Sequence, residues 1–216
     1  MKHIIMGDLF KAALLPVGYT LYVWGGGWNS DDTGAGIDGM RIGVNPQWEK
    51  FFHMQDADYD FRKHRYEYGN GLDCSGYMGW VLNNALSTAG YADNYVTKAG
   101  EQPKMLFRKG FGTFCPAEKV RDWKMGDIMG SSKEGHIFLV LDRCRDGSLL
   151  ICHSSPPGVQ VNGTVDFHGN KNSMAVESAR QYMWRKSPEW CKRYHDFWKN
   201  EKYLTEYDQF RWRIDR

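Results

Sequence analysis

The stretch Leu72-Asp73-Cys74-Ser75-Gly76-Tyr77 constrains this chain most, because it starts a helix on a cysteine. Asp73 is a capping residue type, and Tyr77, Val81, Leu82, Ala85 and Leu86 follow at helical spacing up to Gly90. A helix start leaves backbone N–H groups without partners and carries the positive end of the helix dipole. Cys74 therefore stands where an anion is favoured, and its thiol pKa is expected to fall.

Downstream, the periodicity changes from helix to strand. Lys124-Met125-Gly126-Asp127-Ile128 reads as a turn, and Gly135-His136-Ile137-Phe138-Leu139-Val140-Leu141 as a strand rich in branched and aromatic residues. Arg145-Asp146-Gly147-Ser148 is a turn signal, and Leu149 to Ser155 is a second strand closed by Pro156-Pro157-Gly158. This predicts a β-hairpin with a histidine on each arm, and an α+β fold in which the helix at Asp73 packs on an antiparallel sheet. Cysteine nucleophiles need a base and a polar group to orient that base. Cys74, His136 and His153 supply the three residue types in chain order. Backbone N–H groups at the helix start, including that of Cys74, would then stabilise a tetrahedral oxyanion.

One tension is visible in the hairpin. A tight turn centred on Asp146-Gly147 pairs His153 with Val140, four residues along the strand from His136. At ~3.3 Å per residue that is about 13 Å, too far for a hydrogen bond. Strong twist, a bulge, or a longer turn from Cys144 to Ser148 would change the register.

Taken together, Tyr22-Val23-Trp24-Gly25-Gly26, Leu72-Asp73-Cys74-Ser75-Gly76, Gly126-Asp127-Ile128, Gly135-His136-Ile137 and Cys152-His153-Ser154-Ser155 resemble the ordered motifs of the NlpC family, also called the p-sixty family. These are bacterial cell-wall cysteine peptidases with a papain-like core. The resemblance runs from about Tyr22 to about Val161. It implies Cys74 as nucleophile, His136 as base and His153 as the orienting residue, with Tyr22, Asp73 and Ser75 lining the substrate cleft. It also implies hydrolysis of the D-glutamyl–diamino acid bond of a peptidoglycan stem peptide or muropeptide, through a thioester and without a cofactor. An amidase or acyltransferase using the same site, or an idle wall-binding module, are the alternatives. Secretion or a place in the cell envelope follows from the resemblance. Met1 to Leu15, broken by Asp8 and Lys11, reads as a poor signal peptide and leaves a cytoplasmic protein open.

Two regions depart from that family pattern within what reads as a single domain, 1–216. The link from about 28 to 70 is long and carries Trp48, Phe51, Phe52, Tyr59, Phe61, Tyr66 and Tyr68, so it is expected to be ordered, with a proline-started helix over Pro46 to Met54. The segment from about 165 to 216 reads as a helix from Met174 to Lys186, then a second opened by Ser187 as N-cap and Pro188. Trp190, Tyr194, Phe197 and Trp198 fall on its stripe, and Phe210, Trp212 and Ile214 alternate as in a strand. These additions are expected to wall the cleft or extend the core.

The formal charge of +2 is too small to imply nucleic-acid binding, and Arg211, Arg213 and Arg216 read as a solvated cluster. No apolar run of ~18 residues suggests a membrane span. Five cysteines leave at least one free thiol. Cys152-His153 carries no metal expectation, since strand alternation points the two to opposite faces. His3, His53, His64, His168 and His195 read as surface or capping residues. Asn29 to Asp38 lacks the closing acidic residue of a calcium loop and reads as a loose turn.

Overall fold

A computed structural model describes residues 5–194 and 204–213. The expectations for His3, His195, Phe197, Trp198, Ile214 and Arg216 fall outside them. Helix α1 (Met6–Leu14) is followed by the short α2 (Ile37–Met40), α3 (Pro46–Met54) and α4 (Cys74–Ser87). Then come α5 (Gln102–Arg108), β1 (Gly112–Cys115), β2 (Ile128–Ser131), β3 (His136–Arg143), β4 (Leu149–Ser155) and β5 (Gly158–Gly163). The chain closes with α6 (Met174–Lys186), α7 (Pro188–Arg193) and β6 (Asp208–Trp212). The strands form one six-stranded antiparallel sheet in the order β1-β6-β2-β3-β4-β5. The fold is mixed α+β, with α4 packed on β3 and β4.

Helix α4 is not the one-sided helix that its stripe suggested. Nearly all of it is buried, including Trp80 and Asn83 on the side away from the stripe. The cover on that side comes from residues 28–70. Trp80 Nε1 donates to Gly43 O, Asn83 Nδ2 to Met40 O and Asn84 Nδ2 to Arg41 O, while the Trp48 ring meets Trp80 edge-on. The aromatics of that link are therefore core: Trp48, Phe51 and Phe52 are buried on α3, whose N-cap Asn45 accepts from Gln47 N. Phe52 stacks on Trp190 of α7, so the two additions brace each other. Ser187 occupies the N-cap position of α7 but makes no side-chain cap bond there; its hydroxyl donates to Val17 O.

The sheet buries two faces. One faces the helices, with Ile137, Leu139, Cys152, Val159 and Val161 in the main core. The other carries a smaller cluster of Met129, Phe138, Val140, Leu149, Ile151 and Tyr207. Strand β6 is clasped to the β2 turn by Arg211, which donates to both Asp127 oxygens at 2.7 and 2.8 Å. Asp127 is 1 % exposed, so Arg211 is no member of a solvated cluster; it holds a buried carboxylate. No described helix is long and apolar enough to cross a membrane.

Candidate active site

The first turn of α4 is built around Asp73. Its Oδ1 accepts from Gly76 N at 2.7 Å and from Ser75 Oγ at 3.0 Å, and its Oδ2 accepts from Gly25 N at 3.1 Å. Ser75 Oγ in turn accepts from Trp28 Nε1. The backbone of Gly26 lies so close that a Cβ on Gly76 would sit 1.9 Å from Gly26 O. The Tyr22–Gly26 motif and the cysteine motif are thus one packed unit, which sequence order alone does not reveal.

Cys74 emerges from this unit with its N–H and those of Ser75 and Ile137 turned toward the sulfur. The thiol donates to Gly135 O at 3.5 Å, so it lies against the backbone on both sides of His136. Its pKa does not fall as its helix position suggested. Burial raises it well above the ordinary thiol value, the nearby Asp73 carboxylate raises it further, and the backbone N–H groups offset only part. Cys74 is 5 % exposed, and taking a thiolate out of water outweighs half a unit of helix-dipole charge.

The hairpin resolves its tension by two steps. The turn spans Cys144 to Ser148, with Arg143 opposite Leu149, which moves the register by one residue from the tight-turn expectation. A bulge at Leu141 moves it by a second: Asp142 pairs with Leu150, but Val140 pairs with Ile151 and Leu139 with Cys152. One step alone would have turned His153 to the other face; two restore the face and draw it toward His136. The imidazoles meet edge-on, with His136 Nε2 and His153 Nδ1 2.8 Å apart. His153 is fully buried, and its Nε2 stands 3.0 Å from Asn162 Nδ2 on β5. Desolvation holds both rings neutral: it pulls the His136 pKa to about 3 and pushes that of His153 well below the usual imidazole value, where His136 adds to it.

Cys74 lies in a cleft of about 610 Å³ lined also by Tyr22, Trp24, Trp28, Lys98 and Glu101. Tyr22, Asp73 and Ser75 all border it, yet the polar atoms of Asp73 and Ser75 are engaged in holding the helix start. The Tyr22 hydroxyl is kept protonated by burial, then by Cys74 and Asp73. Cys152 points away from His153, with its sulfur 3.0 Å from Tyr77 Oη and bonded to Ala13 O.

Trp28, Lys98 and Asn162 were not singled out by sequence reasoning. The signal for Asn162 was present: Val159 and Val161 alternate with Gln160 and Asn162 just after the Pro156-Pro157-Gly158 turn, a strand pattern that puts both polar residues on one face. Comparison with protein-family models, curated proteins and solved structures finds no match to this chain.

Proposed function

We propose that this chain is a cysteine hydrolase of the NlpC, papain-like kind, cleaving the D-glutamyl–diamino acid amide of peptidoglycan stem peptides. The observation that carries the reading is the juxtaposition of the Cys74 thiol, at a helix start in an open cleft, with the strand that bears His136, itself bonded to His153 at 2.8 Å. In this reading the resting pair is neutral, because burial disfavours both thiolate and imidazolium. The thiol proton passes to His136 as sulfur attacks the carbonyl carbon, and the Cys74 and Ser75 N–H groups receive the oxyanion. Collapse breaks the C–N bond, His136 returns the proton to the leaving amine, and water then cleaves the thioester. Lys98 is the cleft cation able to meet a stem-peptide carboxylate, and Glu101 and Asp32 are acids able to meet an ammonium.

The deciding measurement is mass analysis of products from a free stem tripeptide, its N-acetylated form and intact sacculus, for the wild type and Cys74→Ala. Cleavage after D-glutamate that vanishes in the variant supports the reading. A cut between muramic acid and L-alanine would replace the endopeptidase with an amidase. Undiminished cleavage by Cys74→Ala would remove the thiol mechanism altogether.

A further inference from the structure

The bonded pair of His136 and His153 does not end its row of hydrogen bonds. Strand β5 pairs with β4 so that Gln160 faces His153 and Asn162 faces Ile151, which places the Asn162 amide diagonally beside His153 on the same face. Both His153 and Asn162 are fully buried. A neutral imidazole has one N–H and one lone pair, so each bond in such a row fixes the polarity of the next.

Two polarities are available. With Asn162 Nδ2 toward His153, as the atoms stand at 3.0 Å, the amide donates to His153 Nε2. His153 Nδ1–H then donates to His136 Nε2, and His136 carries its proton on Nδ1, where it cannot also take one from a thiol. A half-turn of the amide exchanges two ends of nearly equal shape and reverses every bond. Oδ1 then accepts from His153 Nε2–H, and His153 Nδ1 accepts from His136 Nε2–H. His136 Nδ1 is left with the lone pair. Only the second polarity accommodates the imidazolium that forms when His136 takes the thiol proton, since that ring donates from Nε2.

We propose that Asn162 is the positioning residue of this site: its amide carbonyl sets the tautomer of the His153–His136 pair and so makes His136 a base. The inference rests on the thiol-and-base reading given above and extends it to a fourth residue, which acts through His153 and touches no substrate.

The test needs no substrate. The rate of Cys74 alkylation by a neutral thiol reagent is followed against pH in the wild type, His136→Ala, Asn162→Leu and Asn162→Asp. In parallel, the nitrogen shifts of His153 are read by long-range proton–nitrogen spectra. Leucine keeps the shape but neither donates nor accepts; it should slow alkylation at neutral pH roughly ten- to hundred-fold and leave His153 a mixture of tautomers. Aspartate can only accept; it should keep the rate within about three-fold, pin the His153 proton to Nε2 and move the acid limb of the profile upward.

A folded Asn162→Leu protein with the wild-type profile and a single His153 tautomer would overturn the proposal. If that variant fails to fold, Asn162→Asp decides: an unmoved acid limb and an unprotonated Nε2 overturn it equally. Should His136→Ala alkylate at the wild-type rate, the base reading fails and this inference falls with it. A slow His136→Ala beside an unaffected Asn162→Leu sinks the inference alone.

Discussion

Beside Cys74 the backbone of Gly25 and Gly26 lies directly on the first turn of α4, forming one wall; behind the residues that line the cleft, His136, His153 and Asn162 of β3, β4 and β5 stand in a row that forms a second. The first wall buries a carboxylate that makes no ion pair among the described residues. Asp73 is held by N–H and O–H donors, and desolvation lifts its pKa from 3.8 to about 6 in spite of them. The second wall holds the fully buried His153 and the half-buried His136, and desolvation takes His136 down to about 3. One physical cause thus gives opposite responses to acid. Below pH ~6.5 the unfolded chain gains protons that these two histidines refuse in the folded state, so their contribution to stability is lost as pH falls. Asp73 behaves in reverse: it favours the folded state most below pH ~3.8 and loses that advantage as pH rises to about 6.

The histidine wall should show the largest effect. His136→Ala is expected to lower kcat by ~10²–10⁴-fold, and His153→Ala by clearly less, because only His136 moves the proton. Single-turnover kinetics on the substrate that passes the mass test will check this, and equal losses would break the division of roles.

Asp73→Asn should come next, read as stability against pH. A shift from 3.8 to about 6 corresponds to about 3 kcal/mol at ~1.4 kcal/mol per pKa unit. The variant loses an acceptor for Gly25 N and should be the less stable protein at pH 4. Its deficit should shrink by about that amount by pH 7.5 in urea titrations. A constant deficit would show that Asp73 is not the uncompensated buried carboxylate described here. The same variant should quicken Cys74 alkylation, since it removes a charge that opposes the thiolate.

Gly76→Ala probes the backbone contact that makes the first wall. Its methyl would meet Gly26 O, and relief by backbone shifts should cost roughly 1–3 kcal/mol, visible as a lower Tm. A neutral result would mean that the Gly26 loop is free to retreat. The smallest change is expected from His153→Asn, whose amide can still accept from an imidazole N–H; it should keep part of the rate where His153→Ala loses more.

The first wall was largely legible because caps and helix starts are written in neighbouring residues. Asp73, Cys74 and the stripe through Leu86 sufficed to place α4, and Met174 to Lys186 matches α6 to the residue. The thiol pKa was not legible, since the helix end is local but burial is tertiary. The second wall was legible only in outline. The hairpin could be read, but an extra residue at Leu141 leaves no mark on the alternation that would tell it from regular strand. Nor did the chain announce that β5 returns beside β4 and brings Asn162 to His153. The place of Arg211 was missed for a similar reason: a cluster of arginines looks solvated until the buried Asp127 facing it is known.

The position of β6 has a consequence for how the molecule is made. It lies between β1 and β2, pairing with both, yet it is synthesised after the other described strands. A ribosome that has already released β2 through β5 has delivered most of the candidate site, but the facing edges of β1 and β2 stay open. Unpaired edges of that kind invite pairing with other chains. The nascent protein must carry this gap, and the exposure to aggregation that comes with it, until residues 208–212 arrive to close the sheet.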